Sequence, residues 1–339
     1  MRIGPGVARV RRPVTERPGQ AARRRPIARA GLALLALAIL AGCAPPPPPP
    51  PAAETSEAAP GPANAPKLSP ESLQLKQFYA RVQRDFRARG LMRTDDGSDI
   101  PFTASQLADD FIRIAMFDEY VSTRRGGLRA QQRPSRLRRW GEPIRMSVIF
   151  GETVPEAQRA GDRADVRRFA GRLSRLSGVP ISFAPPEAAN YHVMILNEPE
   201  RRETGPRLEQ LVPGIDATAL RAITGMPRQT FCLVFAFSRG DTWLYTDAVA
   251  VIRGEHPDLL RLSCIHEELA QGMGLANDSP LARPSIFNDN EEFSLLTVHD
   301  ELLLRMLYDG RLRAGMDGAE ARPVARVIAA ELTGDAGSS

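Results

Sequence analysis

The 339-residue sequence lacks a complete copy of the motifs that usually identify a hydrolase or a phosphate-binding protein. It has four histidines, and the zinc motif H-E-x-x-H fails at His266 because the residue four positions later is Ala270. Neither a G-x-S-x-G nucleophile turn nor a glycine-rich phosphate loop is present. The apolar run Ala30–Ala41 is too short to cross a bilayer as a stable helix. No motif therefore leads directly to an enzyme activity.

Residues 1–42 have the pattern of an export signal. Residues 1–29 contain nine arginines and one acidic residue, and the apolar run follows them directly. The run ends in Leu40-Ala41-Gly42-Cys43, which resembles the bacterial lipobox. This resemblance implies that Cys43 is lipidated and becomes the new N-terminus. A plain secretory signal with an accidental cysteine is the alternative.

The expected location follows from this signal. We expect a protein that is lipid-anchored on the periplasmic side of the cell envelope, and the Ala44 behind the cysteine resembles lipoproteins sorted to the outer membrane. The long basic stretch favours a start codon downstream of Met1. A twin-arginine export route through Arg23–Arg25 is the alternative.

Cleavage of the signal changes the charge of the protein. Removing nine arginines and one glutamate takes the formal net charge from +5 to −3, so the positive excess gives no support for nucleic-acid binding. Residues 43–66 form a Pro-rich linker. Its seven consecutive prolines, Pro45–Pro51, predict a polyproline II spacer about 20 Å long between the lipid and the folded part.

The sequence predicts that residues 67–139 form a helical extension in front of the main domain. Apolar spacing predicts a helix over residues 70–90, capped by Ser69-Pro70, and a second helix from Thr103 to Tyr120. Seven arginines lie between Arg124 and Arg139. A solvated connector is favoured over an anion-docking segment there.

The sequence predicts that residues 140–335 form the main domain. Strands are expected at 143–150, 179–183, 191–196, 229–238 and 242–252, with a long helix at 154–176 and a short helix around 217–223. Pro257 fits the first turn of a further, central helix, which carries the acidic pair Glu267-Glu268.

The central helix carries the most informative motif. The pattern Glu267-Glu268-x-x-Gln271-x-x-Gly274-x-x-Asn277 has the spacing of H-E-x-x-H-x-x-G-x-x-H, with other residues at all three histidine positions. This stretch resembles the metzincins, and among them the matrixin-like peptidases. The resemblance implies that Glu268 keeps the general-base position and that Gly274 keeps the turn after the helix.

Downstream segments continue the resemblance. Pro284-Ser285-Ile286-Phe287-Asn288 resembles the segment of a Met-turn with Phe287 in the methionine's place, and Leu296-Thr297-x-x-Asp300 and Leu307-Tyr308-Asp309-Gly310 resemble the closing helix. The implied fold is α+β and zincin-like, with a mixed β-sheet, a long N-terminal helix and a central helix, preceded by two extra helices. Thr297 and Asp300 also have the spacing of a helix cap.

The chain resembles more closely an uncharacterised bacterial lipoprotein family. Its marks are E-E-x-x-Q-x-x-G-L-x-N-D, here Glu267 to Asp278, and S-I-F-N-D, here Ser285 to Asp289. No activity comes with that family.

The altered site has the wrong donors for zinc. Zinc prefers imidazole nitrogen or thiolate, whereas Glu267, Gln271 and Asn277 offer only oxygen. Asp278 and Asp289 would add carboxylates for a hard cation, but no calcium-loop spacing is present. We therefore expect no metal or other cofactor. We expect instead a hydrogen-bonded cluster that lines or braces a groove, with these members: Glu267, Gln271, Asn277, Asp278, Asn288 and Asp289.

Once Cys43 is assigned to the lipid, two cysteines remain. An even pair in an exported protein predicts a disulfide between Cys232 and Cys264, with two buried thiols as the alternative. Neither cysteine is expected to be a nucleophile, because no histidine is placed beside it by a motif.

Three functions remain open. The favoured one is a membrane-tethered module that binds a peptide or a cell-envelope partner along an edge strand, since main-chain pairing requires no zinc. An unusual peptidase with Glu268 as general base is the second, although a lone carboxylate contributes only ~10² to 10⁴-fold. A purely structural envelope lipoprotein is the third.

Overall fold

The computed structural model describes Val7–Ala8 and residues 67–122 and 128–334. All of these residues belong to one compact unit. The predictions of a lipidated Cys43 and a Pro-rich linker, and nearly all of the predicted signal, lie outside the described residues. Among the helices that are described, none is both long and apolar enough to cross a membrane.

The strands form one large sheet and one hairpin. Their bounds are β1 Val7–Ala8, β2 Phe117–Ser122, β3 Leu128–Pro134, β4 Arg139–Trp140, β5 Ile144–Phe150, β6 Ile181–Phe183, β7 Tyr191–Leu196, β8 Cys232–Ser238 and β9 Leu244–Arg253. The large sheet has the order β1-β8-β9-β7-β5-β6, and β4 also pairs with β9. Strands β5, β6, β7 and β9 are parallel, while β8 runs antiparallel to β9 and β1 antiparallel to β8.

Nine α-helices lie in the described residues. They are α1 Pro70–Ala88, α2 Ala104–Ala115, α3 Glu156–Ser177, α4 Glu198–Glu203, α5 Gly205–Leu211, α6 Ala217–Thr224, α7 Asp258–Gln271, α8 Val298–Leu307 and α9 Gly318–Thr333, with a 3-10 turn at Pro186–Ala188. The protein is thus a mixed α/β structure with a mostly parallel sheet.

The two faces of the sheet bury separate apolar cores. On β9, Ala248 and Ala250 belong to the larger core with α3 and α7, whereas Val249 and Val251 belong to the smaller core with α5 and α6. Alternate residues of a strand point to opposite faces, so a strand covered on both sides reads as a continuous apolar run. The run Tyr191–Leu196 is such a strand and is buried at every position.

Most predicted elements are present. The Ser69 hydroxyl caps α1 by accepting from the Ser72 N–H at 3.0 Å, and the long helix, the short helix at Ala217–Thr224 and the central helix all form. Helices α4 and α5 are additions to the predicted loop before α6. A proline in the first turn of each is the local signal that marks them.

The prediction of a helix from Thr103 to Tyr120 is wrong for its last five residues. Helix α2 ends at Ala115, and Phe117–Ser122 is a strand paired with Leu128–Pro134. In so short a stretch, the apolar residues Phe117 and Tyr120 do not distinguish helical spacing from the alternation of a strand. Pairing with β3 stabilises the strand.

The prediction of a solvated connector is also wrong for the end of the arginine-rich segment. Arg138 is buried and forms an ion pair with Asp118 on β2. Arg139 donates from Nη1 to the carbonyl oxygen of Leu307 at 2.8 Å and to that of Asp309 at 3.1 Å. Both arginines therefore have structural partners.

Helix α1 caps the central helix. Pro257 precedes α7 and provides no side-chain cap, and the Leu260 N–H instead donates to Gln83 Oε1 of α1 at 3.0 Å. An amide near the start of a helix has no partner within that helix, so a side chain from elsewhere can satisfy it. The N-terminal helix is thereby part of the structure that holds α7.

Replacing Gln83 by alanine should lower the free energy of unfolding by about 1 kcal/mol, the usual effect of losing a helix cap. Urea unfolding monitored by circular dichroism would measure it. Gln77→Ala on the same helix is the matched control, because Gln77 is exposed. Equal losses in the two variants would show that the contact with Leu260 contributes nothing.

Helices α2 and α9 pack against each other, although they lie near opposite ends of the described chain. Leu107 and Phe111 are buried on α2, and Ala321 and Ala325 are buried on α9. At the margin of the contact, Arg322 Nη1 donates to Asp109 Oδ1 at 2.8 Å. The N-terminal helices are therefore packed into the body of the protein.

Candidate functional site

The last turns of α7 bring the predicted cluster together. Glu267, Glu268 and Gln271 are each 0% exposed, and Asn277 and Asp278 are 1% and 3% exposed. Residues four apart share a helix face, which explains the shared position of Glu267 and Gln271. The acids and amides of the motif are thus enclosed, and do not stand open along a groove.

Asp278 and Gln271 are hydrogen-bonded to each other. Gln271 Nε2 donates to Asp278 Oδ1 at 3.0 Å, and Gln132 Nε2 donates to the Asp278 carbonyl oxygen at 2.9 Å. This carboxylate and amide join the end of α7 to the segment that follows it. The predicted hydrogen-bonded cluster is present at these two residues.

Asn277 binds the end of α2. Its N–H donates to the carbonyl oxygen of Ile114 at 3.0 Å, and its Nδ2 donates to that of Arg113 at 2.7 Å. The last carbonyls of a helix lack partners within the helix, and Asn277 satisfies two of them. At the position where the motif would have its third histidine, this chain has a structural link.

Two glycines permit the close packing around this turn. Gly274 has φ = 120°, and a Cβ there would lie 2.3 Å from the carbonyl oxygen of Arg138. A Cβ on Gly272 would lie 2.1 Å from the Tyr191 hydroxyl oxygen. That hydroxyl donates to the Glu268 carbonyl oxygen at 3.0 Å. The predicted turn at Gly274 is confirmed, and only glycine fits it.

The last two residues of the predicted cluster, Asn288 and Asp289, have different surroundings. Asn288 is buried, and its Nδ2 donates to the carbonyl oxygens of Ala282 at 2.7 Å and Pro280 at 3.3 Å, which holds the loop after α7 in shape. Asp289 is exposed, so it is not enclosed with the carboxylates of α7. Phe287, at the methionine position of the motif, is fully buried.

One group of side chains has its possible metal-ligand atoms close together. Ligand atoms of Cys232, Glu267 and Glu268 all lie within 4.8 Å of one another. Cys232 is bonded to Cys264, so its sulfur is not the thiolate that zinc binds. The two remaining carboxylates would suit a hard cation, but Ca²⁺ takes six to eight oxygens. This group therefore offers carboxylate oxygen but neither the thiolate nor the imidazole nitrogen that zinc prefers.

The predicted disulfide is present. Cys232 on β8 and Cys264 on α7 are bonded, with their Cα atoms 5.9 Å apart. Both are fully buried, and His256 Nδ1 lies 3.8 Å from the Cys264 sulfur. The bond fixes β8 to the helix that carries Glu267 and Glu268.

The four histidines have structural surroundings. His266 stacks on Phe169 at 3.9 Å between ring centres, and its Nδ1 accepts from the Leu296 N–H at 3.2 Å. Burial, with Arg172 and Arg168 nearby, lowers the pKa of His266 to about 3. His266 is therefore neutral at physiological pH and has structural partners in Phe169 and Leu296.

A second enclosed group of charged side chains is one that sequence reasoning misses. His299 on α8 is fully buried, with Nε2 3.3 Å from Asp110 of α2 and Nδ1 3.9 Å from Asp300. Asp300 accepts from the Ser285 hydroxyl at 2.5 Å and caps α8 together with Thr297, as predicted. No local motif relates Asp110 to His299, because they lie on different helices.

His299 should make stability depend on pH. Burial alone would lower the pKa of His299, but the nearby carboxylates of Asp110 and Asp300 outweigh this and raise it. The folded protein thus holds the proton to a higher pH than the unfolded chain. The resulting stability is complete below the unfolded-state pKa of about 6.5 and is lost as the pH rises through the folded-state pKa.

The measurement is the difference in unfolding free energy between the wild type and His299→Gln from pH 6 to pH 9. We expect that difference to shrink as the pH rises. His192→Gln is the control: burial lowers the pKa of His192, so its difference should stay constant above about pH 7. A constant difference for His299→Gln would contradict the assignment.

The fold and the site define a mixed α/β protein whose central helix ends in a buried cluster of acids and amides. The chain belongs to the family described as "Protein of unknown function (DUF2927)", whose model matches residues 104–327. That region begins with α2, contains β2 to β9 and ends within α9. The expectation of an uncharacterised family is confirmed at this level. No curated protein and no solved structure matches the chain.

Proposed function

We propose that this protein is a lipid-anchored envelope module with a zincin-like but zinc-free domain, which binds an extended peptide segment along β8. The observation that carries the proposal is the pairing at the outer edge of that strand. Val7–Ala8 adds to β8 as an antiparallel strand, with Val7 opposite Val234 and Ala8 opposite Leu233. Strand addition of this kind gives affinity through main-chain hydrogen bonds.

The position of this edge supports the proposal. Cys232 begins β8 and lies within 4.8 Å of both Glu267 and Glu268. The disulfide holds β8 against α7, so the edge is rigid at this end. A rigid edge loses little conformational freedom when a peptide pairs with it, which favours binding.

Two further observations support the zincin-like part. The chain forms a strand, a long helix and two more parallel strands, which is the order that the resemblance implies for the N-terminal half of a matrixin-like domain. The turn after the central helix uses Gly274, as the motif requires. The oxygen donors and the disulfide-bonded Cys232 favour binding over zinc-dependent hydrolysis.

The lipid-anchored part rests on the lipobox-like Leu40-Ala41-Gly42-Cys43. In the mature chain implied by that motif, residues 1–42 are removed and Val7–Ala8 with them. The edge of β8 would then be available to a segment of another protein in the envelope.

The test uses a chain that begins at Cys43 and a synthetic peptide of residues 3–12 added in trans. Hydrogen exchange followed by mass spectrometry should show slower exchange in Cys232–Ser238 with peptide present, and no change in α9. A peptide with proline at positions 7 and 8 is the control, because proline donates no hydrogen bond. Equal protection by both peptides, or none by either, would reject the proposal.

The same samples test the peptidase alternative. Mass spectrometry would reveal cleavage of the peptide, and Glu268→Gln should abolish cleavage if Glu268 is a general base. Cleavage that stops in this variant would replace the binding proposal with a hydrolase. We expect an intact peptide in both samples.

A further inference from the structure

A second concave site lies apart from the α7 cluster. It is a cavity of about 660 Å³ between α1, α4 and the segment Thr224–Arg228 that follows α6. A volume of this size is typical of sites for small molecules. None of its lining residues belongs to the acid and amide cluster, and the proposed strand addition does not use it. We call it the arginine pocket, because four arginines and two glutamates line it: Arg81, Arg201, Arg202, Arg228, Glu71 and Glu198.

The floor of the arginine pocket is a buried ionic network. Glu198 accepts from Arg201 Nη2 at 2.5 Å and is also paired with Arg253. Both arginines are 1% exposed, and Arg253 further donates to the carbonyl oxygens of Met226 and Pro227. This network holds α4 and the segment after α6 together, so the floor is rigid.

The carboxylates near the pocket neutralise only part of its positive charge. On the wall, Arg202 is paired bidentately with Glu71, at 2.6 and 2.8 Å. Beneath the floor, Glu255 is bound to the Glu198 N–H at 2.6 Å, and burial raises the pKa of Glu255. The lining therefore has two more positive than negative side chains.

Two guanidinium groups at the rim account for this excess. Arg81 and Arg228 are exposed and make no ion pair with any residue in the described part of the chain. Arg228 lies over the Phe78 ring, with 5.2 Å between its guanidinium carbon and the ring centre. Its carbonyl oxygen accepts from the buried Tyr79 hydroxyl at 2.8 Å, which fixes the backbone at this residue.

The lining also offers apolar surface beside these charges. Leu75 and Phe78 of α1 face the cavity from one side and Met226 from the other. Guanidinium groups match carboxylate and phosphate oxygens through paired N–H donors. An aromatic ring next to them can pack against the body of the same ligand.

We infer that the arginine pocket binds a small organic anion, whose carboxylate or phosphate group pairs with Arg81 and Arg228 while its apolar part packs against Phe78. A carboxylate and a phosphate group each have at least two oxygens that can accept from the paired N–H donors of a guanidinium group. The charge excess disfavours a cation, and a cavity of about 660 Å³ suits a ligand of small-molecule size.

The test is isothermal titration calorimetry of the full chain with three probes of similar size. Phenyl phosphate represents a phosphate ligand, benzoylglycine represents a carboxylate ligand, and benzamide is the neutral control. We expect at least one anion to bind with a dissociation constant below about 1 mM and benzamide to bind at least tenfold more weakly. The stronger anion identifies the headgroup.

The double variant Arg81→Gln with Arg228→Gln should weaken binding of that anion at least tenfold. Arg84→Gln is the matched control on α1, because Arg84 is exposed and lies outside the cavity. The single variant Arg228→Gln, which should weaken binding severalfold, supports the result if the double variant is poorly folded. Binding of neither anion, equal binding of benzamide, or equal affinity in the arginine variants would each overturn the inference.

Discussion

Replacing Cys43 by alanine should abolish incorporation of labelled fatty acid into the protein and leave residues 1–42 attached. Alanine has no sulfur to receive the lipid, and the lipobox-like sequence implies that the lipidated cysteine is the residue that becomes the new N-terminus. The expected effect on labelling is all-or-none, because the motif marks Cys43 alone for the lipid. Membrane anchoring should be lost with it, because buried acyl chains contribute about 0.8 kcal/mol per CH₂ and two or more chains give stable anchoring. Metabolic labelling and the intact mass of the purified chain measure both consequences.

Thr55→Ala in the linker is the matched control for this experiment. It leaves the cysteine in place, so it should be labelled and processed like the wild type. Wild-type protein without label, or a Cys43→Ala chain that is still labelled, would show that the cysteine is accidental and that the segment is a plain secretory signal.

The second large effect concerns the disulfide. Replacing Cys232 and Cys264 together by alanine should lower the free energy of unfolding by about 3.7 kcal/mol in the chain-entropy model, because the bond closes a loop between residues 32 apart. That is a large fraction of the usual 5–15 kcal/mol stability of a domain. Alanine is preferred to serine since both positions are fully buried and a hydroxyl there would need a partner.

Urea unfolding of the full chain would measure this loss. Thr55→Ala serves again as the control, because it leaves all three cysteines in place, and it should unfold at the wild-type midpoint. Reduction of the wild type should produce the same loss as the double variant. A double variant within about 1 kcal/mol of the wild type would mean that the denatured chain is already compact around this loop.

Elements with local signals are predictable from the sequence. Ser69 with Ser72, and Thr297 with Asp300, are cap partners three residues apart, so both members of each pair are visible in the sequence. The parity of two remaining cysteines is enough to predict the bond to Cys264. Gly274 is predictable because the turn after α7 admits only glycine.

Contacts between distant segments are not predictable in this way. Arg253 pairs with Glu198 across 55 residues, and Asn277 donates to Arg113 across 164 residues. No spacing rule connects such positions. The strand at Phe117–Ser122 is not predictable for the same reason. Pairing with β3 determines that it is a strand, and its own composition does not.

The candidate site is predictable in composition and only partly in exposure. Helical spacing places Glu267 and Gln271 on one face. Their enclosure depends on α2, whose last carbonyls receive Asn277, and on the loop shaped by Asn288. Residue types alone therefore indicate which side chains meet, while the surrounding segments decide that they are buried and that Asp289 is not.

Because α2 packs against α9, the core around α2 cannot be completed early in synthesis. Synthesis proceeds from the N-terminus, so Leu107 and Phe111 of α2 have no α9 to cover them until Gly318–Thr333 has left the ribosome. The apolar face of α2 therefore stays exposed while residues 116–317 are made.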